Sequence, residues 1–342
     1  MPVDSIPEFL VSGSNYEIGL KIGQRFKSEI IHTILAVNFS EIFSKYPKIR
    51  DWVLELTNQA NLEMPEYMQE LQGVADGINM NFDTILTYNF LHAIDFDLCS
   101  TIMIKRKHEI VLGHNEDYSL DFGEKSYLLG IELSNGTKFY SFTYPGTLPG
   151  SAFAINSHGL VFSANSMPTT PLKFAFPRIL FDRKLLEMES IDQILNLFSK
   201  YSERSAPLNY NILSMRESKA INIETTWNDI SIKNIEHSFF HTNHFISNKF
   251  ADKSIPKFPL SSTRQRLKIA RNYFLITHKQ EILAKEILFH SEIHKNSSDN
   301  NTLCTVVFRI KHNIIEMRIY GSKSKKPLYF RKFPEFWNWE VN

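Results

Sequence analysis

Asp97-Leu98-Cys99-Ser100-Thr101 and, one short hairpin later, Gly113-His114-Asn115-Glu116-Asp117 are the stretches that decide how this chain reads. Cys99 to Ile104 has the texture of a strand, Lys105 to His108 is a charged link, and Glu109 to Gly113 is a second strand ending in the polar cluster. Two adjacent antiparallel strands return that cluster to the cysteine. A thiol, the Asp117 carboxylate and the Asn115 amide then meet at one sheet end, which is raw material for nucleophilic acyl chemistry. Taken alone, a cysteine opening a buried strand is more often a small hydrophobe. The polar cluster beside it is what favours a site.

Upstream of this stretch, residues 1 to about 94 read as helical. Ser14-Asn15-Tyr16-Glu17 offers a cap and a carboxylate, with Ile18, Ile22, Phe26 and Ile30 following at intervals of four. Gly19 and Gly23 fall on the same helix, where they lower its stability and point to a closely packed neighbour or a family signature. Pro65 opens another helix with a Tyr67, Leu71, Val74 and Ile78 stripe, and Asn81-Phe82-Asp83 begins a third.

Downstream the texture is strands. Ser134-Asn135-Gly136 joins 127–133 to 138–143 as a hairpin, and Asn156-Ser157-His158-Gly159 joins 152–155 to 160–164. Helices are expected at about 176–189 and 190–202, strands at 209–214, 219–224 and 230–233, a loop at 246–260, helices at 263–276 and 279–289, a polar linker to 301, and last strands at 303–310 and 314–320. Helices in blocks and strands in hairpins indicate an α+β fold. The one domain break falls near 95–99, dividing a helical N-terminal segment, 1–98, from a catalytic domain, 99–342.

The 342-residue chain is 43% hydrophobic and 22% charged with net charge +1, so nothing in its balance points to nucleic acid or an anionic membrane. Lys323-Ser324-Lys325-Lys326 reads as a solvated loop. Two cysteines, Cys99 and Cys304, exclude a disulfide framework, and Cys304 alternates within a core strand. No secretory signal and no apolar run of spanning length is visible, so a cytoplasmic location is expected. The sequons at Asn38, Asn296 and Asn300 are then chance matches.

His241-Thr242-Asn243-His244 is the other polar cluster. Two histidines three apart could ligate a metal, but the chain lacks the H-E-x-x-H pattern and offers no cysteine pair, so no metal is expected. The Asn243 amide, after a strand, could donate to a developing oxyanion, and Asn165 could sit similarly. A Cys99–His114 dyad is a further arrangement, without the flanking signature of papain-like enzymes. There is no phosphate loop and no dinucleotide fingerprint.

Read together, these motifs resemble the penicillin acyltransferase family (acyl-coenzyme A:6-aminopenicillanic acid acyltransferase-like), which are cysteine N-terminal-nucleophile hydrolases. Ser14-Asn15-Tyr16-Glu17-Ile18-Gly19 is similar to the family's small-x-Tyr-Glu-Ile-Gly opening, Cys99-Ser100 to its Cys-Thr or Cys-Ser, and Gly113-His114-Asn115-Glu116-Asp117 to its Gly-Gln-Asn-Trp-Asp. Asn156-Ser157-His158-Gly159-Leu160, Asn222-Ile223-Glu224 and His241-Thr242-Asn243-His244 resemble later motifs in the same order.

The resemblance implies a four-layer αββα sandwich and a precursor that cuts its own Leu98-Cys99 bond by an acyl shift from nitrogen to sulfur. Residues 1–98 become a candidate pro-segment. It implies Cys99 as nucleophile, Asp117 as the aspartate that helps processing and positions the nucleophile, Asn243 as the oxyanion asparagine, and Asn165 as a second asparagine on that side, with Asn115 a further oxyanion or substrate-binding candidate. The reaction would be that of an acyltransferase or amidase on a linear amide or thioester, with water or an amine as acceptor. No cofactor is implied; acyl-coenzyme A would enter only as a substrate. Two departures stand out: Leu98 replaces the usual glycine before the nucleophile, and Glu116 replaces an aromatic residue. The competing readings are the same fold with Cys99 acting internally and uncut, and a non-catalytic binding protein. The oligomeric state is open.

Overall fold

A computed structural model describes residues 6–91, 98–119, 125–168, 175–253, 260–274, 280–295, 301–322 and 325–334, together with positions 123 and 173. Two sheets form its centre. One has eight strands in the order β1-β4-β5-β6-β7-β8-β9-β10, and the other has six in the order β11-β2-β3-β12-β13-β14. The first comprises β1 (Glu8–Gly13), β4 (Tyr127–Leu133), β5 (Lys138–Thr143), β6 (Phe153–Asn156), β7 (Leu160–Ser166), β8 (Leu208–Ser214), β9 (Lys219–Thr225) and β10 (Ile230–Asn234). The second comprises β2 (Ser100–Arg106), β3 (Glu109–Tyr118), β11 (Ser238–His241), β12 (Asn301–Lys311), β13 (Ile314–Gly321) and β14 (Pro327–Pro334).

Side-chain alternation builds the layers, since successive residues of a strand face opposite sides. Leu128 and Met103 enter the core between the sheets with Phe142, Phe153, Val306 and Phe308. Their neighbours Leu129 and Ile102 face outward into separate cores. The Leu129 side packs under the N-terminal helices α1 (Asn15–Arg25), α2 (Lys27–Leu35), α3 (Phe39–Lys45), α4 (Ile49–Glu63), α5 (Pro65–Ile78) and α6 (Phe82–Leu91), with α7 (Arg178–Leu185) and α8 (Ile191–Lys200). The Ile102 side packs under α9 (Leu260–Phe274) and α10 (Gln280–Leu288). The order is α, β, β, α, the four-layer sandwich expected.

The predicted stripe Ile18, Ile22, Phe26 and Ile30 is buried, and Ser14 and Glu17 cap each other reciprocally. Gly19 and Gly23 meet Gly73 and Gly77 of α5 in a seam so close that a Cβ on Gly19 would lie 1.9 Å from the Glu70 carbonyl oxygen. Close packing is therefore what these glycines serve.

Three strands depart from expectation: β1, β14, and β11, which follows the last of the strands expected at 209–233. The N-terminal stretch is not helical throughout: Glu8–Gly13 forms β1, the only parallel partner among the described strand pairs, alongside β4. A terminal strand, β14, pairs with β13 beyond the last strand foreseen. Of the chance sequons, Asn38 caps α3, while Asn296 and Asn300 lie outside the described residues, as do Lys323 and Ser324 of the basic run and positions 254–259 of the loop expected at 246–260. Among the described residues no helix is long and apolar enough to cross a membrane.

Candidate active site

The β2–β3 register pairs Ser100 with Asn115 and Thr101 with His114, and the Leu98 N–H continues the ladder by donating to the Asp117 carbonyl oxygen at 3.2 Å. Cys99 is thereby held beside the polar cluster, fully buried. β11 pairs with the other edge of β2, so Asn243, just past His241, arrives at the same end of the sheet.

A side chain that the sequence reading did not single out joins them. Arg266 of α9 is fully buried. Its Nη1 donates to the carbonyl oxygens of Leu98 (3.1 Å) and Cys99 (2.7 Å) and to Ser100 Oγ (2.7 Å). Its Nη2 donates to Asn243 Oδ1 at 2.9 Å. One guanidinium thus ties the peptide groups on both sides of Cys99 to the asparagine. Thr263, Leu267 and Ala270 are buried on the same helix face, and Arg266 sits within that 3–4-residue stripe. A cation on an apolar stripe was the signal available.

Asp117 lies on the helix side of the sheet. Oδ1 accepts from Thr302 Oγ1 at 2.5 Å, and the buried Oδ2 has no hydrogen-bond partner among the described residues. Burial pushes its carboxyl up to about 7, against the pull of Arg266 and the Thr302 hydrogen bond. Arg266 is in turn lowered by burial, with Asp117 and Cys99 working to raise it.

The other candidates are placed differently. Asn115 holds the end of α10, donating to the Leu288 carbonyl oxygen and accepting from Thr305 Oγ1, both at 2.8 Å. Asn165 lies between the sheets, accepting from Thr101 Oγ1 at 2.8 Å and donating to Asn209 Oδ1 at 3.3 Å. The Asn243 Nδ2 donates to the Ser166 carbonyl oxygen at 3.0 Å. Arg266 therefore joins the Cys99 backbone to Asn243, and its charge reaches Asp117 on the helix side of the sheet, while the Cys99 thiol lies on the other face beside His114 and Glu116, and Asn165 and Asn115 bond elsewhere.

Between the sheets, Glu116 accepts from Tyr144 through Oε1 and sits 2.7 Å from His114 Nε2 through Oε2. Glu224 of β9 reaches across to His241 Nε2 of β11 at 2.7 Å and accepts from the Ile246 and Ser247 N–H groups. Burial works to raise Glu224, but His241 and those backbone donors outweigh it and hold the carboxyl below its ordinary value. This cross-sheet pair anchors the turn that carries Asn243.

Among the described residues, only Cys99 Sγ, a His114 ring nitrogen and a Glu116 oxygen come close enough to one another, within 4.8 Å, to form a metal-ligand set. Both His114 nitrogens already bond within the protein. His241 and His244 do not converge. His241 bonds Glu224 and the Thr242 carbonyl oxygen, and His244 bonds Thr263. Burial lowers His244 to about 4, so it is neutral near pH 7.

Residues 103–324 match the family model described as acyl-coenzyme A:6-aminopenicillanic acid acyl-transferase. The chain belongs to that family. The matched span begins just past Cys99 and contains Asp117, Asn165, Asn243 and Arg266. A curated relative, the beta-alanyl-dopamine/carcinine hydrolase of Drosophila melanogaster, is 26% identical over 281 residues, covering 70% of this chain and 72% of the relative. Among solved structures, penicillin V acylase from Agrobacterium tumefaciens aligns at TM-score 0.37 and 9% identity, over 64% of this chain and 82% of that one. The family comprises acyltransferases and amide hydrolases acting on small molecules.

Proposed function

We propose that this member is a cysteine-dependent amide hydrolase or acyltransferase that activates itself by cutting Leu98-Cys99, with Cys99 as nucleophile. The observation that carries this reading is the Arg266 guanidinium on the Leu98 carbonyl oxygen. Attack of the Cys99 thiol on that carbonyl places negative charge on an oxygen that already has a cationic donor, in a water-poor site where such stabilisation is strongest.

After the cut, Cys99 carries a free α-amine titrating near ~8, which takes the thiol proton and later returns it to a leaving amine. The acyl-enzyme is a thioester on Cys99, resolved by water or an amine. Asn243 supplies the oxyanion donor, and Arg266 aligns it through Oδ1. Asp117, titrating close to neutrality on the helix side of the sheet, can hold or release a proton near Arg266. Asn115, which holds the end of α10, and Asn165, which bonds Thr101 and Asn209 between the sheets, serve as positioning groups.

The N-terminal piece remains part of the enzyme after the cut, because β1 is hydrogen-bonded to β4 and α1–α6 cover the first sheet. The relative named above is a beta-alanyl-dopamine/carcinine hydrolase, so linear amides of a small acyl group with an arylethylamine are the substrates we assign. Purified protein should release free amine from N-β-alanyl-dopamine and leave an acyl group on Cys99 that quenched-reaction mass spectrometry detects. Transfer from acyl-coenzyme A with no amide hydrolysis would reassign it as a transferase, and no acyl adduct with any of these would refute the reading.

A further inference from the structure

We propose that the buried Glu116–His114 pair is the proton acceptor for the Cys99 thiol during self-cleavage. The inference rests on the reading that Leu98-Cys99 is cut, and it addresses a gap in that reading. In the uncut chain the Cys99 nitrogen is a peptide nitrogen and has no basic lone pair. The amine that serves turnover does not yet exist, so the first reaction of the molecule needs another base.

The geometry points to the pair. Cys99 Sγ, a His114 ring nitrogen and a Glu116 carboxylate oxygen lie within 4.8 Å of one another, a gap closed by one rotamer change or one water. Both side chains are fully buried between the sheets. Their protons can be placed by following the donors. The Thr101 hydroxyl donates to Asn165 Oδ1, so its oxygen accepts from His114 Nδ1, 2.8 Å away, and Nδ1 carries a hydrogen. Nε2 and Glu116 Oε2, 2.7 Å apart, then share a single proton. The Tyr144 hydroxyl donates to Oε1 and favours the ionised carboxylate. With the shared proton on Nε2, Glu116 is a carboxylate next to the thiol, hydrogen-bonded to the His114 ring behind it.

The step balances as follows. The thiol proton passes to Glu116, and Sγ forms a bond to the Leu98 carbonyl carbon, leaving the oxyanion under Arg266 Nη1. Collapse breaks the carbon–nitrogen bond, and Glu116 delivers its proton to the departing Cys99 nitrogen, which becomes the free amine. Water then attacks the Leu98 thioester, giving the Leu98 carboxylic acid and returning the proton to Sγ. Glu116 is a catalytic residue of this step. His114 is a positioning residue, which keeps the carboxylate charged and aimed. These are the two places where the motif resembling Gly-Gln-Asn-Trp-Asp departs from it, and the departures are adjacent in space and bonded to each other.

The test is an intact-mass time course of the full chain from first synthesis. Glu116→Gln keeps the shape and loses the basicity, and it should slow cleavage by at least ~100-fold, the usual scale of general base catalysis. Glu116→Ala should be rescued tenfold or more by formate, a small carboxylate base, which a purely structural role would not allow. His114→Gln should slow cleavage about tenfold, and it carries the test if the Glu116 variants do not fold. Folded variants that cleave at the wild-type rate would overturn the proposal, as would slow Glu116→Ala cleavage unmoved by formate. A wild-type chain that never cleaves is a different result, which defeats the underlying reading.

Discussion

Two fully buried arginines, one in each outer helix layer, are treated by the fold in opposite ways. Arg183 of α7 lies between the rings of Tyr67 and Phe139, with its charge centre 4.8 and 4.7 Å from their centroids. It bonds Glu70 at 3.0 Å and Glu187 at 2.9 Å. Burial works against its charge, yet these two carboxylates raise it above the ordinary arginine value. Arg266 of α9 faces two peptide carbonyls, a hydroxyl and an amide oxygen, and burial lowers it. A buried cation that is already neutralised holds structure together. A buried cation bonded to neutral oxygens is ready for a negative charge that forms during a reaction.

The contrast is sharpest under substitution. Arg183→Met strands the Glu70 and Glu187 carboxylates and should cost about 3–5 kcal/mol of stability, while the folded fraction still cleaves itself. Arg266→Met strands no paired carboxylate, only the neutral oxygens of Leu98, Cys99, Ser100 and Asn243 and the Asp117 carboxyl that burial already drives toward its neutral form, so stability should fall by about 1–3 kcal/mol. Self-cleavage should fall by ~10³-fold, the upper range for one lost oxyanion donor. Thermal melting and intact mass on both variants check this, and equal losses in both readouts would erase the distinction.

Asp117 gives the next largest effect. Its folded value, about 7, lies above its unfolded one, so its contribution is full below pH ~4 and is lost as pH rises through 7. In an uncut Cys99→Ala background, stability should fall by about 1.4 kcal/mol per pH unit across that window, or about 4 kcal/mol in all. Asp117→Asn should abolish the slope, as urea unfolding at several pH values would reveal. Asn243→Ala should lower kcat for amide hydrolysis by ~10²–10³-fold, with a smaller change in KM, as steady-state kinetics would show. Smallest is Gly19→Ala on the Arg183 side of the molecule, where the new Cβ strikes backbone. It should cost about 1–3 kcal/mol by denaturant titration and leave cleavage per folded molecule unchanged.

Much of this architecture was legible in local pattern. The Ile18–Ile30 stripe, the Asn135-Gly136 and Gly159 hairpins and the return of Asp117 to Cys99 each depend on residues close in sequence. β1 was not legible. Its six residues offer one fully buried side chain, and its partner β4 lies over a hundred positions away, so nothing local distinguishes it from a helix lead-in. β14 has proline at both ends and is only partly buried, as befits an edge strand. At the site, residue types singled out Cys99, Asp117 and Asn243 as candidates, but not Arg266. An arginine on a helix normally faces water, and its role becomes visible only when α9 is laid across the mouth of β2.

The most direct measurement is the intact mass and N-terminal sequence of purified wild type beside Cys99→Ala. Wild type should give two co-purifying fragments, the larger starting at Cys99, and the alanine variant a single full-length chain. Two full-length chains, or a wild-type cut at another bond, would contradict the claim that this sulfur creates its own base by severing the link ahead of it.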